Sequence, residues 1–351
     1  MKTYKKLYDE LYSIDNLKLA FKKARKGKSK KDYVINFESN LEKNIAMLQR
    51  DLRLKIYKPS RLKKFIIRDP KTRTIHSSIF RDRIVHHAIV NILEPIYERI
   101  FIYDSFASRK NKGTHLGVER FEYFINKVSS NGRKIKNPFN NNSIKGYVLK
   151  ADIKHYFATI DHEILLNILR KKINDKNLID LIKIILNNFE TSTKGKGLPL
   201  GNYTSQFFAN IYLNHLDYFI KHKLKAKYYI RYVDDFVILH KDKRVLVKNM
   251  IKIKKYLKFL KLELHPDKSE VHALRNGITF LGYRVFYHFK LLRKRNIIYF
   301  KRMLNEKVSL YRRGEIDDKK LKGFLDGWNG YSSFTNTYNF NKKIYKVVPI
   351  E

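Results

Sequence analysis

The stretch YYIRYVDDFVIL, residues 228–239, places two adjacent aspartates between two runs of aromatic and β-branched residues. Such runs favour strands and Asp favours turns, so the stretch predicts a β-hairpin whose turn presents Asp234 and Asp235. Adjacent carboxylates repel each other unless a cation neutralises them. Acidic turns are common, but hydrophobic strands on both sides and Tyr232 before the turn make this string far more specific than an isolated pair of aspartates. It indicates a cation-binding turn.

A second predicted strand also ends on an acid. KGYVLKADI (145–153) predicts a strand that carries Asp152 at its end, and Asp161 is placed to cap the helix that follows. Three carboxylates that converge from two adjacent strand ends would suit two Mg²⁺ ions, with Mn²⁺ as a possible substitute. Two such ions can stabilise the attacking and leaving oxygens of phosphoryl transfer.

The elements after the hairpin predict a layered α+β fold. They are a helix at 244–260, a short strand LELH and a second hairpin near FLGYRVFY (280–287). The order strand, helix, hairpin, helix, strand describes an antiparallel sheet with helices on one face. The tail from residue 290 is predicted to be helical and basic.

The N-terminal part is predicted to be mainly helical. Apolar residues at helical spacing predict an amphipathic helix over residues 36–54. Residues 82–101 predict a helix with a kink or break near Pro95. The run FKKARKGKSKKD (21–32) predicts a basic, poorly structured connector.

The charge balance points to a polyanionic partner. The 351 residues contain 75 Lys and Arg against 33 Asp and Glu, a formal net charge of +42. Nucleic acid is the leading partner, because neutralised phosphates release counterions, and an anionic membrane surface is the competitor. We expect no membrane interaction, since the sequence shows neither a long uncharged apolar run nor a signal peptide. The absence of cysteine excludes disulfide scaffolds and thiolate zinc sites, and a cytoplasmic location is expected.

The two acidic strings together resemble a known family. ADIKHYF and YVDDF look like motifs A and C of the reverse transcriptases, whose palm carries three metal-binding aspartates. Matched motif by motif, the resemblance implies that Asp152, Asp234 and Asp235 are the catalytic, metal-binding residues. Phe157 falls where the family places an aromatic steric gate, which would exclude a ribose 2′-hydroxyl and favour deoxynucleotides.

Further motifs extend the resemblance across nearly the whole chain. Two β-prone runs around the turn sequence at residues 68–71 predict a β-hairpin over 61–79. The stretch RDPKTRTIHSSIFRDRIVHHAI (68–89) is similar to the fingers motifs that hold the incoming triphosphate. In this register Arg68 and Arg73 match cations that pair with phosphate oxygens, a task that suits the guanidinium fork. HPDKSE resembles motif D, where Lys268 would match a proposed general acid for the pyrophosphate leaving group. FLGY (280–283) resembles motif E, the primer grip.

The stretch LPLGNYTSQ (198–206) resembles motif B, with two departures. Most relatives carry Gln where this chain has Leu200 before the motif glycine, Gly201, and they close the motif with Ser-Pro where this chain has Ser205-Gln206. The resemblance implies that Leu200, Gly201 and Gln206 contact the dNTP. A Gln could hydrogen-bond the nascent pair, whereas Leu offers shape alone. The difference is about 0.5–1.5 kcal/mol, which relaxes fidelity but does not select adenine.

This variant of motif B, with GNYTSQFFANIYLN after it, is similar to the reverse transcriptases of diversity-generating retroelements, within the superfamily of group II intron and retron enzymes. Such enzymes copy a template-repeat RNA into cDNA with errors at template adenines. The mutagenised cDNA then replaces a variable repeat in a target gene. They act with a small helical accessory protein, so the resemblance implies that partner besides template RNA, the primer–template duplex and dNTPs.

The resemblance implies a right-hand polymerase. The expected parts are an N-terminal basic extension (1–35), fingers (36–145), a palm (146–285) whose motif B region contributes to the fingers, and a helical thumb (286–351). We expect no endonuclease domain after the thumb. Two alternatives stay open: an antiphage-defence or domesticated group II-like or retron-like reverse transcriptase without adenine mutagenesis, and a non-catalytic RNA-binding scaffold. The three aspartates argue against a scaffold, which has no need of repelling carboxylates.

Overall fold

A computed structural model of the chain describes residues 3–68, 72–137, 143–189, 191 and 193–345. The chain divides into two compact units, and each is built from three separate segments. Unit 1 comprises Met1–Ser108, Asp152–Ala226 and Lys252–Pro266, and unit 2 comprises Arg109–Ala151, Lys227–Ile251 and Asp267–Glu351. The fingers, palm and thumb boundaries remain predictions beside this division.

Unit 1 begins with five helices: α1 (Leu7–Leu11), α2 (Ile14–Arg25), α3 (Asp32–Glu38), α4 (Leu41–Arg53) and α5 (Phe80–Glu98). Helix α2 buries its apolar face against α5, so the predicted unstructured connector over 21–32 is wrong for its first five residues. Helix α5 continues past Pro95 and ends at Glu98, so the helix is not broken there; Pro95 lacks only the one backbone hydrogen bond that its own N–H would donate.

The single helix predicted over residues 36–54 is two helices in the structure. The break falls at Ser39 and Asn40, and the Asn44 amide donates to the Phe37 carbonyl across it at 2.9 Å. The break lets Phe37 pack edge-on against Phe80 with ring centroids 5.3 Å apart. A contact so distant in sequence overrides the local helical periodicity.

The predicted hairpin over 61–79 is confirmed as β1 (Lys63–Ile67) and β2 (Arg73–Ser77), paired antiparallel. Its predicted turn at residues 69–71 lies outside the described residues. All five side chains of β1 are exposed, so the hairpin is a two-stranded arm and not part of a larger sheet.

The second segment of unit 1 carries α7 (Tyr156–Thr159), α8 (His162–Arg170), α9 (Lys176–Asn187) and α10 (Tyr203–Tyr218). The predicted cap of α8 is confirmed, because an Asp161 carboxylate oxygen accepts from the backbone N–H of Ile164 at 3.0 Å. The Tyr156 hydroxyl donates to the Ala209 carbonyl at 2.6 Å and fastens α7 to α10.

Unit 2 contains the antiparallel sheet that the acidic strings predict. Its strands are β3 (Tyr147–Asp152), β4 (Tyr228–Tyr232), β5 (Asp235–His240) and β6 (Glu270–Ala273), in the order β4-β5-β3-β6. The hairpin of β4 and β5 is confirmed, and α6 (Thr114–Val128) packs on it. The predicted strand LELH is wrong: Leu264 makes only an isolated bridge with Ile153, and β6 takes the edge position.

The rest of unit 2 is a small sheet followed by the helical tail. The sheet contains β7 (Ile278–Phe280), β8 (Tyr283–Val285) and β9 (Lys290–Leu292), which confirms the second predicted hairpin. The predicted helix after the first hairpin is confirmed as α11 (Lys243–Phe259), of which residues 243–251 belong to unit 2 and residues 252–259 to unit 1. The tail is confirmed as α12 (Lys294–Arg312), α13 (Asp318–Ser332) and α14 (Tyr338–Tyr345). The mixture of helices with antiparallel sheets confirms the α+β class. No described helix is both long and apolar enough to cross a membrane.

Candidate functional site

The predicted catalytic aspartates lie at strand ends. Strand β3 ends at Asp152 and lies next to β5 in the sheet, and β5 begins at Asp235 directly after Asp234. Asp152 belongs to unit 1 and the other two to unit 2. The described residues contain no cluster of three or more His, Cys, Asp or Glu side chains arranged to hold a metal ion. The shared metal site therefore stays a prediction.

The turn between β4 and β5 has a strained backbone and accepts a hydrogen bond from a buried arginine side chain. Val233 has φ 56°, a left-handed conformation that is unfavourable for a β-branched residue. Arg231 is 0% exposed, and its Nη1 donates to the Val233 carbonyl at 3.0 Å. The Tyr232 hydroxyl lies 3.3 Å from Thr114 Oγ1 on α6. These contacts fix the backbone that presents Asp234 and Asp235.

The chain turns sharply after Asp152. The Asp152 carbonyl accepts from the N–H of His265 at 2.7 Å, and His155 then adopts φ 48°. This left-handed residue starts α7 and places Phe157 in its first turn, half-buried beside Tyr156 with ring centroids 5.6 Å apart. The Phe157 carbonyl accepts from the N–H of Leu198 at 2.7 Å, which ties the motif A segment to the start of the motif B stretch.

The motif B loop is attached to the arm formed by β1 and β2. The Leu200 carbonyl accepts from the backbone N–H of His76 at 2.8 Å. Gly201 has φ 118°, and a Cβ there would lie 2.7 Å from Ile75 Cγ2 and 3.3 Å from the His76 carbonyl oxygen. Glycine is therefore required for this close approach.

A buried polar network extends the attachment. Ser78 Oγ lies 2.9 Å from both His86 Nε2 and Asn202 Oδ1, and His86 Nδ1 lies 2.7 Å from Thr204 Oγ1. Burial, followed by the charges of His87 and Arg83, lowers the pKa of His86 from 6.5 to about 3. The network therefore holds the end of β2, α5 and the start of α10 together through a neutral imidazole.

Sequence reasoning missed this network and the buried Arg231. Single polar residues within helices are indistinguishable from surface positions in one sequence. The available signal was the pair His86-His87 inside an otherwise apolar helical run, which marks polar groups that must be hydrogen-bonded when buried.

The remaining predicted nucleotide contacts lie on the surface of unit 1. Arg68 and Arg73 are exposed at the same end of the arm, since the Cα partner of Arg73 is Ile67. Gln206 is exposed on α10, where its Oε1 accepts from Ser108 Oγ at 3.2 Å. Backbone links join the arm to Leu200, but no described side-chain contact joins the arginines to the motif B residues.

Lys268 lies elsewhere, in unit 2. It ends a short 3₁₀ turn, Pro266–Lys268, immediately before β6, and its side chain is exposed. Asp234 and Asp235 belong to the same unit, two strands away in the sheet order. The role of Lys268 as a general acid stays a prediction.

Comparison with known proteins identifies the family. The model of the family described as "Reverse transcriptase (RNA-dependent DNA polymerase)" matches residues 58–285. The chain is 25% identical to Protein YkfC of Escherichia coli, over 64% of this chain and 65% of that protein. It is 28% identical to the group II intron-encoded protein LtrA of Lactococcus lactis, over 53% of this chain and 30% of that protein. It is 23% identical to a putative COX1/OXI3 intron 2 protein of Saccharomyces cerevisiae, over 68% of this chain and 33% of that protein. The chain thus spans less than two thirds of each relative's length.

Proposed function

Because the chain belongs to the reverse transcriptase (RNA-dependent DNA polymerase) family, we propose that it extends a primer along an RNA template with deoxynucleotides. The YVDD turn is the observation that carries this proposal. A strained Val233 and a buried Arg231 keep two adjacent carboxylates at the start of β5, next to the strand that ends at Asp152. Adjacent carboxylates repel each other, so this arrangement favours the binding of cations.

The proposed reaction is attack of a primer 3′-hydroxyl on the α-phosphate of a dNTP, with release of pyrophosphate. The donor set fits divalent cations, since Asp152, Asp234 and Asp235 supply hard carboxylate oxygens. Two Mg²⁺ ions, or Mn²⁺, would stabilise charge on the attacking and leaving oxygens when bound. Lys268 would donate a proton to the departing pyrophosphate.

The other predicted residues would select and hold the nucleotide. Arg68 and Arg73 would bind the triphosphate, because they lie exposed at one end of the arm, whose other end is bonded to motif B. The Phe157 ring would exclude a ribose 2′-hydroxyl. Gly201 would let the arm and the motif B loop meet, and Gln206 would contact the nucleotide from α10.

We further propose that the enzyme is of the diversity-generating type: it copies a template-repeat RNA into adenine-mutagenised cDNA, with a small helical accessory protein. Leu200 supports this proposal. Its side chain is aliphatic, so it would offer shape but no hydrogen bond to the nascent base pair. One missing hydrogen bond lowers discrimination by about tenfold at most. A template-side contact must add the preference for adenine.

The test is primer extension on a defined RNA template, followed by sequencing of the cDNA. We expect errors concentrated opposite template adenines. Leu200→Gln should lower the error frequency at adenine by about three- to tenfold while extension continues. Asp234→Asn is the control for contaminating polymerase. An unchanged error frequency in Leu200→Gln would mean that Leu200 does not cause the errors at adenine.

Two other results would select the alternatives. An even, low error spectrum would favour a defence or domesticated reverse transcriptase without adenine mutagenesis. RNA binding without any extension by the wild-type protein, with divalent cations and accessory protein supplied, would favour a scaffold. Two near-identical repeats beside the gene that differ mainly at adenines would support the diversity-generating type independently.

A further inference from the structure

Unit 1 contains a basic cavity whose lysines have no part in the proposed catalytic roles. It is a cavity of about 520 Å³ between the start of α7, the end of α11 and the chain that leads to motif B. We name it the lysine cavity after four of its lining residues, Lys154, Lys196, Lys258 and Lys261. His155 also lines it, and Glu263 alone is acidic among its described lining residues.

The walls of the lysine cavity are fixed by backbone hydrogen bonds. The Lys154 N–H donates to the Glu263 carbonyl at 2.9 Å, and the Gly197 N–H donates to the Ile160 carbonyl at 2.8 Å. Two lining residues, His155 and Lys261, hold left-handed backbones with φ 48° and 51°. Lys261 ends α11 in a Schellman motif, in which the Leu262 N–H donates to the Leu257 carbonyl at 2.9 Å, and His155 precedes α7. The cavity is thus a built feature of the chain and not a gap between mobile side chains.

The positive charge of the lysine cavity is largely uncompensated by ion pairs. Lys261 pairs with the Asp161 carboxylate at 2.6 Å. Within the part of the chain that the structure describes, no ion pair neutralises Lys154, Lys196 or Lys258. Three ammonium groups around one concave surface repel each other, and an anion bound among them relieves that repulsion.

The lining chemistry selects phosphate over a base. No Phe, Tyr or Trp is among the described lining residues, and His155 alone among them carries a ring on which a base could stack, against four lysines that can bind phosphate. Lysine ammonium groups act as point charges toward phosphate oxygens. A volume of about 520 Å³ exceeds the share of one water molecule, about 30 Å³, by enough to admit two linked phosphates with part of their hydration.

We propose that the lysine cavity binds inorganic pyrophosphate after the nucleotide has been added. The inference rests on the proposed polymerase function, which releases that product. Its position agrees, because the wall begins at Lys154, two residues after Asp152, and passes through α7, which carries Phe157. Lys196 lies just before the motif B stretch, so an occupant would contact both segments that handle the nucleotide.

The test compares two triple variants of equal charge. Lys154→Ala/Lys196→Ala/Lys258→Ala removes the uncompensated cavity charges. Its control removes three exposed lysines of α11 outside the cavity, Lys252→Ala/Lys254→Ala/Lys255→Ala. Two quantities are measured: the affinity of the nucleic-acid-free protein for sodium pyrophosphate by calorimetry, and the pyrophosphate concentration that halves primer extension.

In the cavity variant we expect the affinity for pyrophosphate to fall about tenfold and the half-inhibiting concentration to rise about tenfold, because three charge-assisted contacts are lost. The KM for dNTP should change less than about twofold. The control variant should match the wild type. Equal weakening in both variants, or in neither, would overturn the proposal. A KM for dNTP that rises as much as the inhibitory concentration would instead place the substrate triphosphate in the cavity. If the wild type extends no primer, the polymerase proposal fails, and calorimetry still decides whether the cavity binds pyrophosphate.

Discussion

Motif B in unit 1 and the YVDD turn in unit 2 are both predicted to handle the nucleotide, yet the chain positions them by different physical means. Motif B is held by neutral hydrogen bonds among Ser78, His86 and Asn202, and by a glycine that allows close contact. The YVDD turn combines a left-handed Val233 with a fully buried Arg231. A loop that shapes a base pair needs rigidity without charge, whereas a loop that holds cations needs charges kept in place.

The largest effect should come from the acidic turn. Asp234→Asn should lower primer extension by about a thousandfold or more, since loss of a proposed metal ligand would remove several kcal/mol of transition-state stabilisation. Template RNA binding, measured by fluorescence anisotropy, should change less than about twofold. Asp242→Asn, an exposed aspartate beyond the other end of β5, is the matched control. Normal extension by Asp234→Asn would refute the catalytic assignment.

Next in size is the buried support of the same turn. Arg231→Met should lower the free energy of unfolding by about 1–3 kcal/mol, because the Val233 carbonyl loses its donor. Arg284→Met removes a guanidinium that also donates to a carbonyl, that of Asn276 at 2.9 Å, but on the surface. Urea unfolding should show a change within about 0.5 kcal/mol for that control. Equal stability of the two variants would mean that the strained turn does not depend on Arg231.

The sequence predicted these two regions unequally. The YVDD hairpin follows from local alternation and turn chemistry, and so do the Asp161 cap and the arm formed by β1 and β2. The break at Ser39 does not, because it depends on the contact between Phe37 and Phe80.

The strand assignment near residue 265 failed for a similar reason. A short run such as LELH has strand propensity, but the sheet gives the edge position to β6 because that segment pairs with β3 in register. The motif B network could not be predicted from local patterns either, since Ser78 and Asn202, which share a hydrogen bond, are 124 residues apart in the sequence. Local patterns predict elements, whereas pairing depends on contacts that one sequence does not display.

A smaller effect tests the close contact at motif B. Gly201→Ala and Gly195→Ala both place a Cβ at a positive φ, 118° and 76°, and the larger angle is the less favourable for alanine. Only at Gly201 would the new Cβ meet other atoms, 2.7 Å from Ile75 and 3.3 Å from the His76 carbonyl; at Gly195 nothing lies within 4 Å. We expect kcat/KM for dNTP to fall about tenfold further in Gly201→Ala than in Gly195→Ala. Equal losses would show that the contact with β2 does not position the loop.

The last effect is on stability alone, and it is the pH dependence of the neutral network. The pKa of His86 is about 3 in the folded chain and 6.5 when unfolded, so between these values only the unfolded chain binds the proton. The stabilisation is complete above pH 6.5 and decreases by about 1.4 kcal/mol per pH unit below it. His86→Gln has no such proton, so its difference in unfolding free energy from the wild type should be constant from pH 7 to 8 and shrink from pH 6 to 4.5. Urea unfolding across that range measures the difference. A constant difference down to pH 4.5 would mean that His86 takes up its proton equally in the folded and the unfolded chain, so that motif B, like the YVDD turn, would contain a buried charge at acid pH.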